Sequence, residues 1–297
     1  MSTIDLEALR DFAVDVARRA GTMITSARSD QKSSAAEKKN SVDLVTEVDQ
    51  AVEAFIIQEI KQRYPEHKFI GEETYSASGQ TASILNDEPT WIVDPIDGTT
   101  NFIHGFPFVA VSIGFAIKQV PTVGVVYGPF LDYMYTGIKG QGSFLNDQKL
   151  PLNSPAPKIG GLGNCVVAVE WGSDRTEDGN LKVKSDTYFN LTRQGGGMCH
   201  SLRSLGSAAL NLCAVASGSM DCYVEGGMWE WDICAGWVIL TEAGGLMTTA
   251  NPAEEIKEPG LCDRMILAVR GSDTADQHQI VREYWAQTAG RLVYDRK

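Results

Sequence analysis

Apolar residues recur at helical spacing at Leu9, Phe12, Ala13, Val16, Ala20, Met23, Ile24 and Ala27. Ser2, Thr3 and Asp5 lie ahead of them and can cap, so the pattern predicts an opening amphipathic helix. Val48, Val52, Phe55, Ile56 and Ile60 form a second helical stripe, read as starting at Thr46, with Asp49 three residues on as its capping-box partner, and stopping before Pro65. The polar stretch Ser29 to Ser41 between them reads as a mobile loop. From Lys68 the texture becomes strand-like: Phe69-Ile70, Trp91 to Val93, Val109 to Lys118, Thr122 to Tyr127 and Leu131 to Ile138, at spacings that predict antiparallel hairpins. After Asn153 the pattern alternates: strands at Val166 to Glu170, Asp221 to Glu225 and Met265 to Arg270, helices at Ser207 to Ser217, Ile233 to Ala243 and Ala275 to Trp285. The predicted fold is of the α+β or α/β class, with layered α and β. It forms one domain over 1–297, with an α+β lobe at about 1–150 and an α/β lobe at about 151–297.

A chain of 297 residues with 43% hydrophobic and 8% aromatic content can bury a sizeable core. Its 26 basic and 38 acidic residues give a net charge of -12. No Lys/Arg block could neutralise a run of phosphates, so a nucleic-acid polymer is excluded as a partner. The longest apolar run, Phe108 to Ile117, falls far short of the ~20 residues that cross a bilayer, and Met1 to Arg10 lacks the makings of a signal peptide. No membrane association is expected, and a cytoplasmic location is. Cys165, Cys199, Cys213, Cys222, Cys234 and Cys262 are scattered without a C-x-x-C pair and read as reduced, mostly core thiols.

The segment Trp91-Ile-Val-Asp94-Pro-Ile-Asp97-Gly98-Thr99-Thr100-Asn101-Phe102 carries the strongest chemical signal. A strand is read as ending on Asp94, Pro95 stiffens the turn, and Asp97 follows. Two like charges held that close repel, and a divalent cation is the usual remedy. Gly98, Thr99 and Thr100 resemble a helix start, whose free N–H groups attract phosphate. An acidic turn with a helix cap would look the same. Glu72 and Glu73 follow the Phe69-Ile70 strand and could be a solvated pair; Asp232 opens a helix and could be its cap. Each of these acids, however, begins or ends an apolar element, where a shared cleft would form.

Gly71-Glu72-Glu73, Asp94-Pro-Ile96-Asp97-Gly98-Thr99-Thr-Asn-Phe102 and Trp231-Asp232-Ile-Cys-Ala-Gly236 resemble, in order and spacing, the three metal-site motifs of the inositol monophosphatase family. Ser41 to Asp49, Phe106 to Ser112 and Leu202 to Ala209 are similar to further segments of it. The resemblance implies a layered α-β-α-β-α sandwich of the sugar-phosphatase type. It also implies a homodimeric, Mg²⁺-dependent, Li⁺-inhibited phosphate monoesterase acting on a small-molecule phosphate monoester, above all myo-inositol 1-phosphate. By the same resemblance Glu72, Asp94, the Ile96 carbonyl and Thr99 hold one Mg²⁺, and Asp94, Asp97 and Asp232 a second. Asp49 and Thr99 orient and help deprotonate water with Glu73 close by, and the Gly98 and Thr99 amides grip phosphate. Asp97, the backbone at Ala208, and Glu225 meet substrate hydroxyls. From spacing alone Asp49 fits a helix cap equally well, Glu225 a surface acid, and Lys38 and Lys39 a solvated pair.

Other phosphatase chemistries lack their motifs. No cysteine has Arg six residues on, the acids are spaced Asp-x-x-Asp rather than Asp-x-Asp, and His67, His104, His200 and His278 form no zinc motif. No G-x-x-x-x-G-K-[ST] loop occurs. The alternatives are a 3'(2'),5'-bisphosphate nucleotidase or other sugar-phosphate phosphatase sharing the metal machinery, and, from a different class, a metal-binding scaffold whose catalysis has lapsed.

Overall fold

In a computed structural model, which describes residues 4–33, 41–78 and 85–295, Asp5 accepts the Ala8 N–H at 3.0 Å and starts α1 (Leu6–Ser33). The predicted stripe is its buried face, with Leu9, Ala13, Val16, Ala20 and Ile24 almost fully enclosed. The second helix, α2 (Ser41–Arg63), begins earlier than Thr46, so Thr46 is an exposed residue within it rather than its cap. Most of the polar stretch before it, Lys38 and Lys39 included, lies outside the described residues.

Contacts divide the chain into two compact units: Met1–Asp147 with Gly206–Leu210 and Glu230–Ile239 in one, Gln148–Leu205, Asn211–Trp229 and Leu240–Lys297 in the other. The first is built on β1 (Lys68–Gly71), β2 (Thr90–Asp97), β3 (Ala110–Ile117), β4 (Val120–Gly128), β5 (Tyr133–Ile138) and β6 (Gly142–Leu145), in a sheet whose order follows the chain, while the two-residue β7 (Gln148–Lys149) belongs to the second unit. From β2 to β6 neighbours run antiparallel, as the hairpin spacings predict. The β1–β2 pair is parallel instead, because α3 (Glu72–Ser78) lies on the connection and the chain re-enters in the same direction.

Strand alternation splits the sheet's two faces. Trp91, Val93, Ile113, Phe115, Val123 and Val125 join the α1 and α2 stripes in one core cluster. On the opposite face Gly114, Gly124 and Gly137 stand side by side in register across β3, β4 and β5. Over them lies the first part of α7 (Glu230–Glu242). A Cβ at Gly124 would come within 2.2 Å of the Ala235 carbonyl oxygen, and one at Gly114 within 2.5 Å of the Cys234 Sγ. Bare strand backbone is what lets the helix lie this low.

The second unit carries β8 (Val166–Val169), β9 (Ser201–Arg203), β10 (Cys222–Gly226), β11 (Leu246–Thr248) and β12 (Met265–Val269), ordered β11-β12-β10-β8-β9. β8 runs parallel to β9 and β10, while β12 is antiparallel to β10 and β11. Tyr188 and Leu191 of α5 (Asn180–Thr192) and Ile280, Val281 and Tyr284 of α8 (Thr274–Gln287) share its core cluster. The remaining helices, α4 (Thr99–His104) and α6 (Ala208–Ser217), begin beside the acidic cluster. All six cysteines are free and five are buried. Among the described residues no helix is long and apolar enough to cross a membrane.

Candidate active site

The acidic segment does not leave the sheet at Asp94. β2 runs on through Pro95 to Asp97, with an irregularity in its pairing to β3 between the two acids. Pro has no N–H to offer a ladder, and a bulge is where a strand tolerates it. The Asp94 Oδ1 accepts the Ile96 N–H at 2.9 Å, which fixes the carboxyl's direction. Asp94 is paired in register with Ser112, whose hydroxyl donates to the Trp231 carbonyl at 3.1 Å. That bond holds the first turn of α7 to β3 at the residue paired with Asp94, and Asp232 follows immediately. Asp232 therefore sits within the first turn rather than capping it.

Asp97 accepts from the Ser207 hydroxyl and from the N–H groups of Ala208 at 3.2 Å and Ala209 at 2.8 Å, serving as a cap supplied to α6 from a distant strand. Oxygen atoms of Asp94, Asp97 and Asp232 lie within 4.8 Å of one another. Gly98 follows with φ 98°, and a Cβ there would meet the Phe108 carbonyl oxygen at 2.9 Å, so only glycine makes this turn without strain. Beyond it α4 begins at Thr99, whose hydroxyl donates to the Ile96 carbonyl at 3.3 Å.

Asp49 and Glu53, one helical turn apart, point from the buried face of α2 with 3% and 2% exposure. Glu72 and Glu73 are half-buried in the first turn of α3, not on a solvated loop. Burial, then repulsion from Glu72, Glu73 and Glu53, pushes Asp49 up to about 9. Burial, with Glu73 and Asp97 next, pushes Glu72 up to about 7, and burial with Glu72 drives Asp94 well above the carboxylate range.

A divalent cation fits this arrangement. Every side-chain donor is a hard oxygen, burial and mutual repulsion raise the acids Asp49, Glu72 and Asp94, and the buried Asp49 Oδ1 has no hydrogen-bond partner among the described residues. Such a donor set suits Mg²⁺, Mn²⁺ or Ca²⁺ rather than a thiolate- or imidazole-seeking metal.

Asp49, Glu72, Glu73, Asp94, Ile96, Asp97, Gly98, Thr99, Ala208 and Asp232 all belong to the first unit. Glu225 belongs to the second, where it is half-buried at the end of β10 and accepts from the Tyr223 hydroxyl. The Ala208 N–H is already engaged by Asp97. Sequence reasoning missed Glu53, Ser112, Ser207 and the glycines under α7. The available signals were an acid inside the apolar stripe of α2, and glycines inside three strands.

A model of the inositol monophosphatase family matches residues 5–289. The chain is 44% identical to inositol monophosphatase 2 of Saccharomyces cerevisiae over 97% of its own length and 98% of that protein's. It is 41% identical to protein qutG of Emericella nidulans, over 98% and 96%. Among solved structures it resembles an inositol monophosphatase from Anabaena (Nostoc) sp. PCC 7120, with TM-score 0.76 and 30% identity over 96% of this chain and 98% of that one.

Proposed function

The chain belongs to the inositol monophosphatase family and is a metal-dependent phosphatase of small phosphate monoesters, and from that premise we propose that it hydrolyses myo-inositol 1-phosphate with Mg²⁺. The observation that carries this reading is the convergence of Asp94, Asp97 and Asp232, with carboxylate oxygens within 4.8 Å of one another, together with the buried Asp49 Oδ1 that has no hydrogen-bond partner among the described residues. Glu72, Asp94, the Ile96 carbonyl and Thr99 would hold one ion, and Asp94, Asp97 and Asp232 a second. Bound there, Mg²⁺ would polarise phosphoryl oxygens, activate water and neutralise the leaving alkoxide.

The protein's own groups do the aiming. The Ile96 N–H turns Asp94, and the α6 amides with Ser207 turn Asp97. Asp49 and Thr99 orient the attacking water, Asp49 accepts its proton, and Glu73 supports them. The Gly98 and Thr99 amides bind the phosphate. Asp97, the Ala208 backbone and Glu225 would each meet substrate hydroxyls. In this reading the whole chain acts as one catalytic domain, in a cytoplasmic homodimer.

The test is phosphate release from inositol 1-phosphate, other sugar phosphates and 3',5'-bisphosphate nucleotides, ranked by kcat/KM, with and without Mg²⁺. Inositol 1-phosphate should lead. A bisphosphate nucleotide in first place assigns the chain to that substrate class, and no turnover with any of them supports a lapsed scaffold.

A further inference from the structure

Glu53 stands outside every role assigned above, yet it is among the most deeply buried acids of the chain, with 2% exposure. Its Oε2 accepts the Glu73 N–H at 2.9 Å, and its Oε1 accepts the Thr74 N–H at 2.7 Å and the Thr74 hydroxyl. The contact is close on the backbone side too, since a Cβ on Gly71 would stand 2.4 Å from the Glu53 Oε2. A carboxylate on α2 thus satisfies the otherwise orphaned amides that open α3, at the residues next to Glu72. The seven residues of α3 carry little helical preference beyond this anchor. One turn back on α2, Asp49 faces the same volume, so a single stretch of helix spaces Asp49 from the backbone that carries Glu72 and Glu73.

We propose that Glu53 is a positioning residue, whose buried carboxylate, by holding the Glu73 and Thr74 amides, sets the direction in which Glu72 and Glu73 face the metal-binding acids. The inference rests on the reading of Glu72 as a metal ligand. Groups that hold a ligand in place typically change metal affinity or activity by about 10- to 100-fold when altered. Glu53→Gln keeps the volume but turns at least one accepting oxygen into a donor that confronts an N–H. Glu53→Asp keeps the charge but falls one methylene short.

The test is Mg²⁺ binding to the full chain by titration calorimetry, well below each variant's melting temperature, together with kcat and KM at saturating Mg²⁺. Glu53→Gln and Glu53→Asp should each weaken Mg²⁺ binding by about tenfold or more, with KM for the phosphate ester moving less than threefold. Hydrogen exchange at the Glu73 and Thr74 amides should quicken in both. Mg²⁺ affinity within twofold of the parent in either variant overturns the proposal. So does recovery in Glu53→Asp alone, because charge rather than direction would then be the cause. Should both variants fail to fold, Thr74→Val, at an exposed position, removes only the hydroxyl contact; it should weaken Mg²⁺ by a smaller but measurable factor, and unchanged affinity overturns the proposal. Glu72→Gln is the reference arm. If it leaves Mg²⁺ binding intact, the metal reading itself fails; if it weakens binding while Glu53→Gln does not, only the positioning role falls.

Discussion

Gly124→Ala tests how α7 comes to carry Asp232. An added Cβ would meet the Ala235 carbonyl oxygen at 2.2 Å, the Ala235 carbonyl carbon at 2.9 Å and its Cα at 3.0 Å, all of them helix backbone. Ordinary contact begins near 3.4 Å, so the helix must retreat by about 1.2 Å. Overpacking of this kind costs about 1–3 kcal/mol. For a chain of this size that corresponds to a fall in Tm of roughly 2–5 °C. The catalytic penalty should be larger, because Asp232 moves with the helix while Asp94 and Asp97 stay on β2. A displacement of about 1 Å in a reacting constellation costs on the order of a hundredfold. Gly128→Ala on the same strand is the control, since its Cβ would find Leu210 at 3.6 Å and the Val109 carbonyl oxygen at 3.7 Å, both ordinary contacts. Differential scanning fluorimetry and phosphate release across a Mg²⁺ titration read both effects. Gly124→Ala with parental kcat and parental Mg²⁺ half-saturation would refute the account of α7, and so would equal damage from Gly128→Ala.

Four further outcomes are expected. Asp94→Asn should lower turnover by about a thousandfold or more with its circular dichroism unchanged, because one ligand shared by two ions contributes several kcal/mol; near-parental activity at low Mg²⁺ would count against the shared role. Glu225→Gln should reduce kcat/KM for inositol 1-phosphate more than for p-nitrophenyl phosphate, which has no hydroxyls to recognise, whereas equal losses would make Glu225 a supporting residue. Metal-free protein should lose stability as pH rises: Asp49 near 9 and Glu72 near 7 bind protons more tightly folded than unfolded, so their contribution, intact below about pH 4, is lost as pH climbs through those values. Saturating Mg²⁺ should raise Tm at pH 8, by about 2.7 kcal/mol of linkage at a hundredfold excess over Kd, and flatten that pH slope; a Tm that rises with pH in chelator contradicts the cluster's electrostatics. Li⁺ should inhibit uncompetitively, as the family resemblance implies, and more weakly in Asp232→Asn; purely competitive inhibition in steady-state plots would contradict this.

The long apolar stripes of α1 and α2 and the runs of β2 to β5 were legible because each repeats its period many times. α3 was not, since Glu-Glu-Thr-Tyr-Ser-Ala-Ser has no stripe and the helix is anchored from outside by Glu53. α5 escaped for a similar reason: Lys184 lies on its buried side, donating to the Trp171 and Gly226 carbonyl oxygens at 3.0 and 3.2 Å, and so breaks the apolar pattern. Pro95 reads as a stop, and only the pairing with β3 reveals that β2 continues. The acids of the site were legible individually, because each borders an apolar run. The bonds that aim them, from Ser112 to Trp231 and from Ser207 to Asp97, join residues more than a hundred positions apart and leave no local mark.

The order in which the ribosome releases this chain gives the α7 arrangement another meaning. The first unit is not finished when Asp147 emerges; it waits for Gly206–Leu210 and Glu230–Ile239, and most of the second unit's residues are synthesised in between. Until α7 arrives, the glycines of β3, β4 and β5 lack the helix that packs on them, and a nascent sheet with incompletely covered apolar surface is a natural client for a chaperone. Asp94 and Asp97 are made early and Asp232 late, so the cluster closes only after more than three quarters of the polypeptide has been translated. A truncated or stalled product would retain the motif from Trp91 to Phe102 and yet be unable to gather the acid that completes it.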